Sequence, residues 1–337
     1  MTSEAIALRP RGAKPTTTEI AIIIVNWNGG ELLRRCLESV AQHPPSLDYE
    51  VVVVDNASTD GSREWLESLG ARVLLIKNDE NAGFGRANNQ GFAATEAPLL
   101  FLLNSDAEIQ EGAINKLVET INSDDRIGVC GPRLTNPDGT LQASVWPNPV
   151  TPIDLIAGAF RLHRLLPHRL RGELLLGYHW DHARQRRARM LSGAALIVRR
   201  KMIDQVGGFD ERFHMYGEDI EWCLRIVRAG WWMIFEPGAT VLHHGGQSSA
   251  QRWDYLKKRH VEYESFFRYQ RLCLTRSLAL ANLFTGCSLA LVQYAWYRLR
   301  GRPVEEPRMV FKLFAGELKS RLFTVRSEGG GQLVKRI

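Results

Sequence analysis

Cysteine is scarce in this 337-residue sequence, and the few cysteines are not placed to act together. Their number is odd, their spacing is wide, and no two of them form a CxxC pair. A disulfide framework or a cysteine zinc site is therefore disfavoured, and a reducing compartment is favoured. The five are Cys36, Cys130, Cys223, Cys273 and Cys287.

The sequence also lacks an apolar secretory segment near its start, and it has no internal repeat or low-complexity tract. We predict a disordered lead over residues 1–18 and a cytosolic catalytic part. Long uncharged runs are rare, but Ser277–Tyr297 has 21 residues without a charge. Since about 20 apolar residues span a bilayer, and polar residues such as Asn282 dilute this run, we expect a buried or membrane-contacting helix. A full span is the less favoured alternative.

Positive charge is concentrated in one stretch of the sequence. The net charge is +6 at pH 7, and residues 160–189 alone hold eight arginines and no lysine, against Glu173 and Asp181. We predict a basic insertion here that faces a phosphorylated acceptor or an anionic membrane, with a solvated, partly flexible segment as the alternative. Nucleic acid is the weakest candidate partner, because the stretch has few aromatic residues beyond Tyr178 and Trp180.

Short apolar runs alternate with helical patterns in the first third of the sequence. This alternation predicts an α/β fold with a mostly parallel sheet and helices on both faces. The predicted strands are Glu19–Val25, Glu50–Val54, Arg72–Ile76 and Pro98–Leu103, and the predicted helices are Glu31–Ala41, Asp60–Leu69 and Phe84–Ala94. The less regular second half predicts strands at Ile127–Gly131, Ser192–Arg199, Trp232–Phe235 and Thr240–His243, and a helix at Glu218–Ala229. We place one domain at 19–250, a C-terminal helical region that can associate with a membrane at 251–325, and a flexible tail at 326–337.

Polar side chains follow the predicted strands, where open α/β sheets bind their ligands. Asp55, after the second strand, can hold a nucleobase or ribose, or it can simply cap the next helix. The glycine-rich run from Gly83 to Arg86 can bring a backbone and a cation to a phosphate, or it can be a plain turn. The pair Asn104-x-Asp106 offers hard oxygen ligands to Mg²⁺ or Mn²⁺.

Two further groups lie in the second half of the sequence. Glu218 and Asp219 fall in the first turn of a predicted helix, where either carboxylate can serve as a general base or can merely stabilise the helix N-terminus. His243 and His244 follow a strand, and an imidazole there can complete a metal site. Because side chains alternate along a strand, only one of the two histidines can face the cleft.

These five segments, in this order, resemble inverting family 2 glycosyltransferases of the GT-A fold, and most of all the bacterial rhamnosyltransferase-like enzymes of cell-wall and O-antigen assembly. The similarity covers about Ile20 to Ser248. It implies a single Rossmann-like mixed sheet flanked by helices, with a C-terminal helical extension, and a Mg²⁺ or Mn²⁺ cofactor.

The resemblance also implies roles for individual residues. Asn26 and Asp55 would hold the nucleobase and ribose, and the donor pocket would be lined by Gly83, Phe84, Arg86 and Asn104. Asp106 and His243 would bind the metal, and Asp219 would be the catalytic base with Glu218 beside it. His243 is preferred to His244 because it fits the family's His-x-x-Gly-x-Ser pattern. Asn104 replaces the first acid of the usual Asp-x-Asp, so we expect weaker metal binding.

The resulting prediction is an inverting hexosyltransferase acting at a cell envelope. It would transfer a sugar, with rhamnose from dTDP-rhamnose the best candidate, to a hydroxyl of a lipid-linked or polysaccharide acceptor. It would work in the cytoplasm or as a peripheral protein on the cytoplasmic face of the membrane. The alternatives are a non-catalytic scaffold of the same fold and a metal-dependent nucleotidyltransferase. A nucleotidyltransferase would normally place a basic glycine-rich loop where this sequence has Asn26-Trp27-Asn28-Gly29-Gly30.

Overall fold

The computed structural model describes Ile6, Leu8 and residues 18–146, 151–167, 170, 175–213, 215–245 and 254–323. The chain divides into two compact units. The first comprises Met1–Asn148 and Pro167–Asp254, and the second comprises Pro149–Leu166 and Tyr255–Ile337.

Four parallel strands form one half of the central sheet in the first unit. They are β1 (Ile20–Asn26), β2 (Tyr49–Asn56), β3 (Leu74–Asn78) and β4 (Leu99–Asn104). β1 pairs with β2 on one side and β4 on the other, and β2 pairs with β3. β1, β2 and β4 are runs of branched apolar residues because both faces of this part of the sheet are covered.

The other half of the sheet is mixed. Its strands are β5 (Ala107–Ile109), β6 (Ile127–Thr135), β7 (Leu141–Gln142), β9 (Arg186–Ala188), β11 (Ala195–Arg199) and β12 (Trp232–His243). Two short strands, β8 (Val145–Trp146) and β10 (Met190–Leu191), lie outside this sheet. The strand order is β3-β2-β1-β4-β11-β6-β12-β5, with β7 beside β6 and β9 beside β12, while β8 pairs with β10 separately. β11 runs antiparallel to both β4 and β6, so the sheet is mixed, as predicted.

Helices cover both faces of this sheet. The helices of the described residues are α1 (Gly30–Gln42), α2 (Ser62–Ser68), α3 (Phe84–Ala93), α4 (Ala113–Asn122), α5 (Pro152–Ala159), α6 (Arg200–Val206), α7 (Glu218–Arg228), α8 (Tyr255–Cys273), α9 (Arg276–Leu299) and α10 (Glu305–Phe323), of which α5, α8, α9 and α10 belong to the second unit. Leu33 of α1 and Leu117 of α4 pack on one face with Ile22. Phe92 of α3 and Trp222 of α7 pack on the opposite face, and these two layers are the hydrophobic core that fixes the strand ends.

Several predicted strands differ from those observed. The third was predicted from Arg72, but β3 begins at Leu74, because Gly70 has a left-handed φ of 57° and starts a 3-10 turn. Trp232–Phe235 and Thr240–His243 were predicted as separate strands. They form one strand, β12, whose pairing with β6 shifts register between Glu236 and Thr240, so a bulge, not a loop, carries Pro237 and Gly238.

The second unit is helical. α5, α8, α9 and α10 surround a core that includes Phe267, Leu283 and Phe314. α9 is long and apolar enough to cross a membrane by length and composition, with a mean hydropathy of 1.4 over its most apolar window, and only 28% of that window is buried. The helix therefore presents much of its apolar surface outward.

Several predicted segments lie partly or wholly outside the described residues. The predicted tail at 326–337 is outside them, and so is most of the predicted lead at 1–18. Ile6 and Leu8, which are described, are buried in the core of the first unit. Parts of the basic stretch 160–189 are also outside the described residues. Residues 160–166 of this stretch belong to the second unit, and the rest belongs to the first.

Candidate active site

A cavity of about 270 Å³ opens at the carboxyl ends of β1, β2 and β4 in the first unit. Its walls come from the loops after these strands, from the start of α3, from the turn before α7 and from the end of β12. The lining side chains and backbone belong to Val25, Trp27, Asn56, Asn81, Gly83, Phe84, Asn104, Ser105, Asp106, Ser192, Gly193, Ala194, Met215, Tyr216, Glu218, Asp219 and His243. Seven of the ten predicted site residues are therefore brought together here.

One side of the cavity holds Asp106 and His243. The Asp106 Oδ1 atom lies 3.2 Å from His243 Nε2, and the amide nitrogen of Asn104 lies 3.3 Å from the same ring nitrogen. Gln142 fixes the orientation of the imidazole. Its amide nitrogen donates to the His243 carbonyl at 3.2 Å, which leaves the Gln142 oxygen to accept from His243 Nδ1 at 2.6 Å. The Nε2 lone pair and the carboxylate oxygen consequently face each other, an arrangement that suits a cation between them.

His244 points to a different environment. Its Nε2 lies 2.7 Å from Glu108 Oε1, and Glu108 is also paired with Arg35 at 3.2 Å. The alternation of side chains at the end of β12 thus puts His243, and not His244, on the cavity wall.

The cavity is also lined by Glu218 and Asp219 at the start of α7. The turn before them is tight, since Tyr216 and Gly217 both have left-handed φ values of 65° and 85°. Glycine adopts this conformation without steric cost, whereas tyrosine seldom does, so the surrounding packing must hold Tyr216 in place. The turn directs Asp219 into the cavity, where its Oδ1 accepts from the Ile220 backbone N–H at 2.8 Å.

Both acids bind their protons more tightly than exposed carboxyl groups. Burial raises the pKa of Glu218 to about 8, and the nearby Asp219 carboxylate adds to the shift. Glu218 Oε2 is buried without a hydrogen-bond partner, which agrees with a neutral carboxyl group. Burial also raises the pKa of Asp219, although backbone N–H groups of Ile220 and Gly193 partly offset it. Because the Asp219 carboxylate raises the pKa of Glu218, Asp219 is the group of this pair that loses its proton first.

Replacing Glu218 by glutamine should stabilise the fold selectively at alkaline pH. The carboxyl pKa rises from 4.5 to about 8 on folding, so between these values the folded state keeps a proton that the unfolded state has lost. Rising pH therefore destabilises the wild type across this window, and a glutamine has no proton to lose. Urea unfolding should show that the free energy of unfolding of the variant, relative to the wild type, is larger at about pH 9 than at about pH 4.5. An equal difference at both pH values would contradict the raised pKa.

Asn26 and Asp55 lie behind the cavity wall and do not line it. Both are fully buried. The Asn26 amide donates to Asp55 Oδ1 at 2.9 Å and to the hydroxyls of Ser58 and Ser62, and Arg63 Nε lies 2.7 Å from Asp55 Oδ2. This network ties the ends of β1 and β2 to the loop before α2. Direct contact of Asn26 and Asp55 with a nucleotide stays a prediction.

The glycine-rich segment divides between the cavity and the surface. Gly83 and Phe84 line the cavity at the N-terminus of α3, and Phe84 packs edge-on against Phe209 with ring centroids 5.7 Å apart. Arg86 does not line it. Its side chain is about half exposed and lies 3.9 Å from Glu211. The predicted role of Arg86 as part of the pocket wall is therefore not seen in this arrangement.

Comparison with known proteins identifies the family. Residues 21–206, more than half of the chain, match glycosyl transferase family 2. The chain belongs to glycosyl transferase family 2. A second family, glycosyl transferase family group 2, matches residues 174–315. The chain is accordingly a glycosyltransferase, which confirms the predicted enzyme class.

The glycosyltransferase has a relative with a named lipid-linked acceptor. The N-acetylglucosaminyl-diphospho-decaprenol L-rhamnosyltransferase of Mycobacterium tuberculosis is 32% identical over 252 residues, covering 70% of this chain and 79% of the relative. The similarity to rhamnosyltransferases that the motifs indicated is thereby confirmed.

Solved structures confirm the fold of the glycosyltransferase as GT-A. A mannosyltransferase from Pyrobaculum calidifontis, in complex with GDP-Man and Mn²⁺, superposes with a TM-score of 0.53 at 15% identity and covers 96% of this chain and 92% of that one. GalNAc-T7, with UDP, GalNAc and Mn²⁺, superposes with a TM-score of 0.55 at 16% identity over 93% of this chain and 57% of that one.

The donor atoms in the cavity fit a divalent ion that shares its ligands with a substrate. Among the described residues, no three or more His, Cys, Asp or Glu side chains converge as a complete protein-only metal site. Asp106 and His243 provide two converging donors. Mg²⁺ and Mn²⁺ commonly take only one or two protein ligands and complete their shell with substrate phosphates and water. Asp106 and His243 could therefore hold such an ion only together with oxygens from a substrate or water.

Some residues at the site were not identified from the sequence of the glycosyltransferase. Gln142 orients His243 from β7, but no motif marks a glutamine 101 positions away in the chain. Gly193 was predicted to lie within a strand, whereas β11 starts only at Ala195 and the preceding loop lines the cavity. Arg63 was one residue of a predicted helix, and only its proximity to Asp55 gives it a role.

Proposed function

We propose that this glycosyltransferase moves a sugar from a nucleoside diphosphate donor to an acceptor hydroxyl by a single inverting displacement. One observation carries the proposal. Asp106, His243 and Asp219 all line the same cavity. A diphosphate held at Asp106 and His243 would bring the donor sugar into the cavity that also contains the Asp219 carboxylate.

The residues of the cavity divide the reaction between them. Asp106 and His243 would hold a Mg²⁺ or Mn²⁺ ion, which when bound neutralises charge on the departing diphosphate. Gly83, Phe84 and Asn104 would position the donor sugar and phosphates. Asp219, ionised while Glu218 keeps its proton, accepts the proton of the attacking hydroxyl. One base is sufficient for a direct displacement, so no second carboxylate is needed on the opposite face of the sugar.

The nucleoside of the donor is proposed to lie along the ends of β1 and β2. Trp27 and Asn56 line the cavity there and can contact a base or ribose. Asn26 and Asp55 support this wall from behind through their buried network.

For the donor sugar and the acceptor, we propose rhamnose from dTDP-rhamnose and a lipid-linked sugar diphosphate of cell-envelope biosynthesis. The support is the 32% identity to an enzyme whose name gives that sugar and an N-acetylglucosaminyl-diphospho-decaprenol acceptor. A peripheral position at the cytoplasmic face of the membrane fits the exposed apolar side of α9. A polysaccharide hydroxyl is the alternative acceptor.

A screen of nucleotide sugars tests the proposed function. The purified chain is incubated with each donor, Mn²⁺ or Mg²⁺, and an N-acetylglucosaminyl-diphospho-prenol, and the release of nucleoside diphosphate is measured. We expect release with dTDP-rhamnose that requires both the acceptor and the metal, and a product whose anomeric configuration is opposite to that of the donor. Retention of configuration would overturn the single displacement, and equal release in EDTA would overturn the metal.

A further inference from the structure

A second cavity, of about 900 Å³, lies wholly within the helical second unit. Its wall is largely apolar, and it is formed by α5, α8, α9 and α10. Representative lining residues are Leu155, Phe160, Phe266, Leu289, Trp296 and Phe314. This volume falls in the range of about 300–1,000 Å³ that small-molecule sites occupy in proteins.

The cavity is open to an apolar molecule approaching from outside. Phe160, Val292 and Trp296 line it and are also 59%, 56% and 50% exposed. On two of the helices that form the cavity, Ile153 of α5 and Leu299 of α9 are 77% and 84% exposed. Large apolar side chains exposed together on neighbouring helices usually mark a binding surface. The apolar wall of the cavity thus continues onto the surface of the unit.

Positive charge accompanies this apolar wall. Arg161 lines the cavity itself, and the guanidinium groups of Arg300 and Arg302 lie 4.5 Å and 5.9 Å from the ring centroids of Trp296 and Tyr297, which also line it. Within the described part of this unit, these three arginines form no ion pair. By contrast, Arg259 is already paired with Glu262 at 2.7 Å. The uncompensated cations are complementary to an anion carried by the occupant, and arginine is the side chain best shaped for phosphate oxygens.

We propose that this cavity binds the prenyl chain of a prenyl-diphosphate-linked acceptor, and that Arg161, Arg300 and Arg302 bind its diphosphate. A lipid of this kind combines a long branched apolar chain with concentrated negative charge at one end, which are the two properties of the cavity. The assignment rests on the proposed function, since a lipid-linked acceptor is what that reaction consumes. It adds a site in the second unit that selects the lipid part of the acceptor.

Photo-cross-linking of the full chain tests the site without requiring sugar transfer. The probe is farnesyl diphosphate carrying a benzophenone, and the cross-linked residues are mapped by mass spectrometry. Ala159→Trp fills the cavity from an exposed position on α5. Ala295→Trp is the matched control, because Ala295 is exposed on α9 and does not line the cavity. Val292→Trp, at another exposed lining position, serves as a second test should Ala159→Trp reduce folding.

We expect cross-links on α5 and α9 that fall at least about tenfold in both lining variants, since each buried methylene group changes affinity roughly fourfold. The control should label like the wild type. Decaprenyl diphosphate should compete far better than inorganic pyrophosphate or phosphatidylglycerol vesicles. Equal competition by the vesicles would assign the cavity to membrane lipid and overturn the proposal. Equal labelling of the lining variants and the control would overturn it as well.

A transfer assay separates failure of this site from failure of the proposed function. Acceptors with a ten-isoprene chain and a two-isoprene chain are compared in the wild type and Ala159→Trp. We expect the variant to raise KM about tenfold for the long chain alone, which is the effect of losing a few buried methylene contacts. An equal rise for both chains would overturn the prenyl site. No transfer by any form, with cross-linking intact, would instead overturn the proposed reaction.

Discussion

Asp219→Asn should slow sugar transfer by about 10²–10⁴-fold, the usual contribution of a general base. Asparagine keeps the shape of the side chain and the bond from the Ile220 backbone N–H, but it cannot accept a proton from the acceptor hydroxyl. Binding of nucleoside diphosphate should stay nearly unchanged. Single-turnover transfer and calorimetry on the same preparation measure the two effects separately.

The pH profile of the wild type provides a companion to this prediction. Burial raises the pKa of Asp219, so this carboxylate becomes protonated at a higher pH than an exposed aspartate does. As the solution is acidified, kcat/KM should therefore begin to fall at a correspondingly higher pH. Glu218→Gln should keep this acidic limb, since Glu218 is already neutral there. A near-wild-type rate in Asp219→Asn, or an acidic limb lost in Glu218→Gln, would move the role of base away from Asp219.

Asp106→Ala should abolish most metal-dependent donor binding. Altering a residue that only supports a metal ligand typically costs about 10–100-fold in metal affinity, and loss of a ligand should cost more. The remaining donor, His243, would face a site without a carboxylate. Calorimetric titration of nucleoside diphosphate with and without Mn²⁺ should show the enhancement by metal in the wild type and its loss in the variant.

The two adjacent histidines provide a matched control for this metal site. His243→Ala should weaken the metal effect, because His243 Nε2 faces Asp106. His244→Ala should leave it largely intact, because His244 pairs with Glu108 outside the cavity lining. If His244→Ala removed the metal effect and His243→Ala did not, the site would have to be assigned to the other face of β12.

The parts of the fold that could be predicted are those in which one local signal dominates. β1, β2 and β4 are short runs of branched apolar residues buried on both faces, so the sequence alone locates them within one or two residues. α4 and the strands β7–β10 were not predicted. The strands have only two or three residues each, too few for a periodic pattern, and their pairing depends on contacts distant in sequence.

The candidate site was predictable to the extent that the topology brings strand ends together. Asp106 at the end of β4 and Asp219 at the start of α7 do share a cavity, although 113 positions separate them. Asp55 also lies at a strand end, within the last two residues of β2, but Asn26, Ser58 and Arg63 enclose its carboxylate. No local pattern distinguishes an exposed strand-end acid from an enclosed one. Which side chains face the cavity is decided by tertiary packing.

A crystal structure with nucleoside diphosphate and Mn²⁺ tests the shared cavity most directly. We predict a Mn²⁺ anomalous peak within bonding distance of both Asp106 and His243, with the diphosphate completing its shell and the Asp219 carboxylate facing the space left for the sugar. A nucleotide bound elsewhere, or a Mn²⁺ ion that touches neither residue, would contradict the assignment of these groups to one reaction centre.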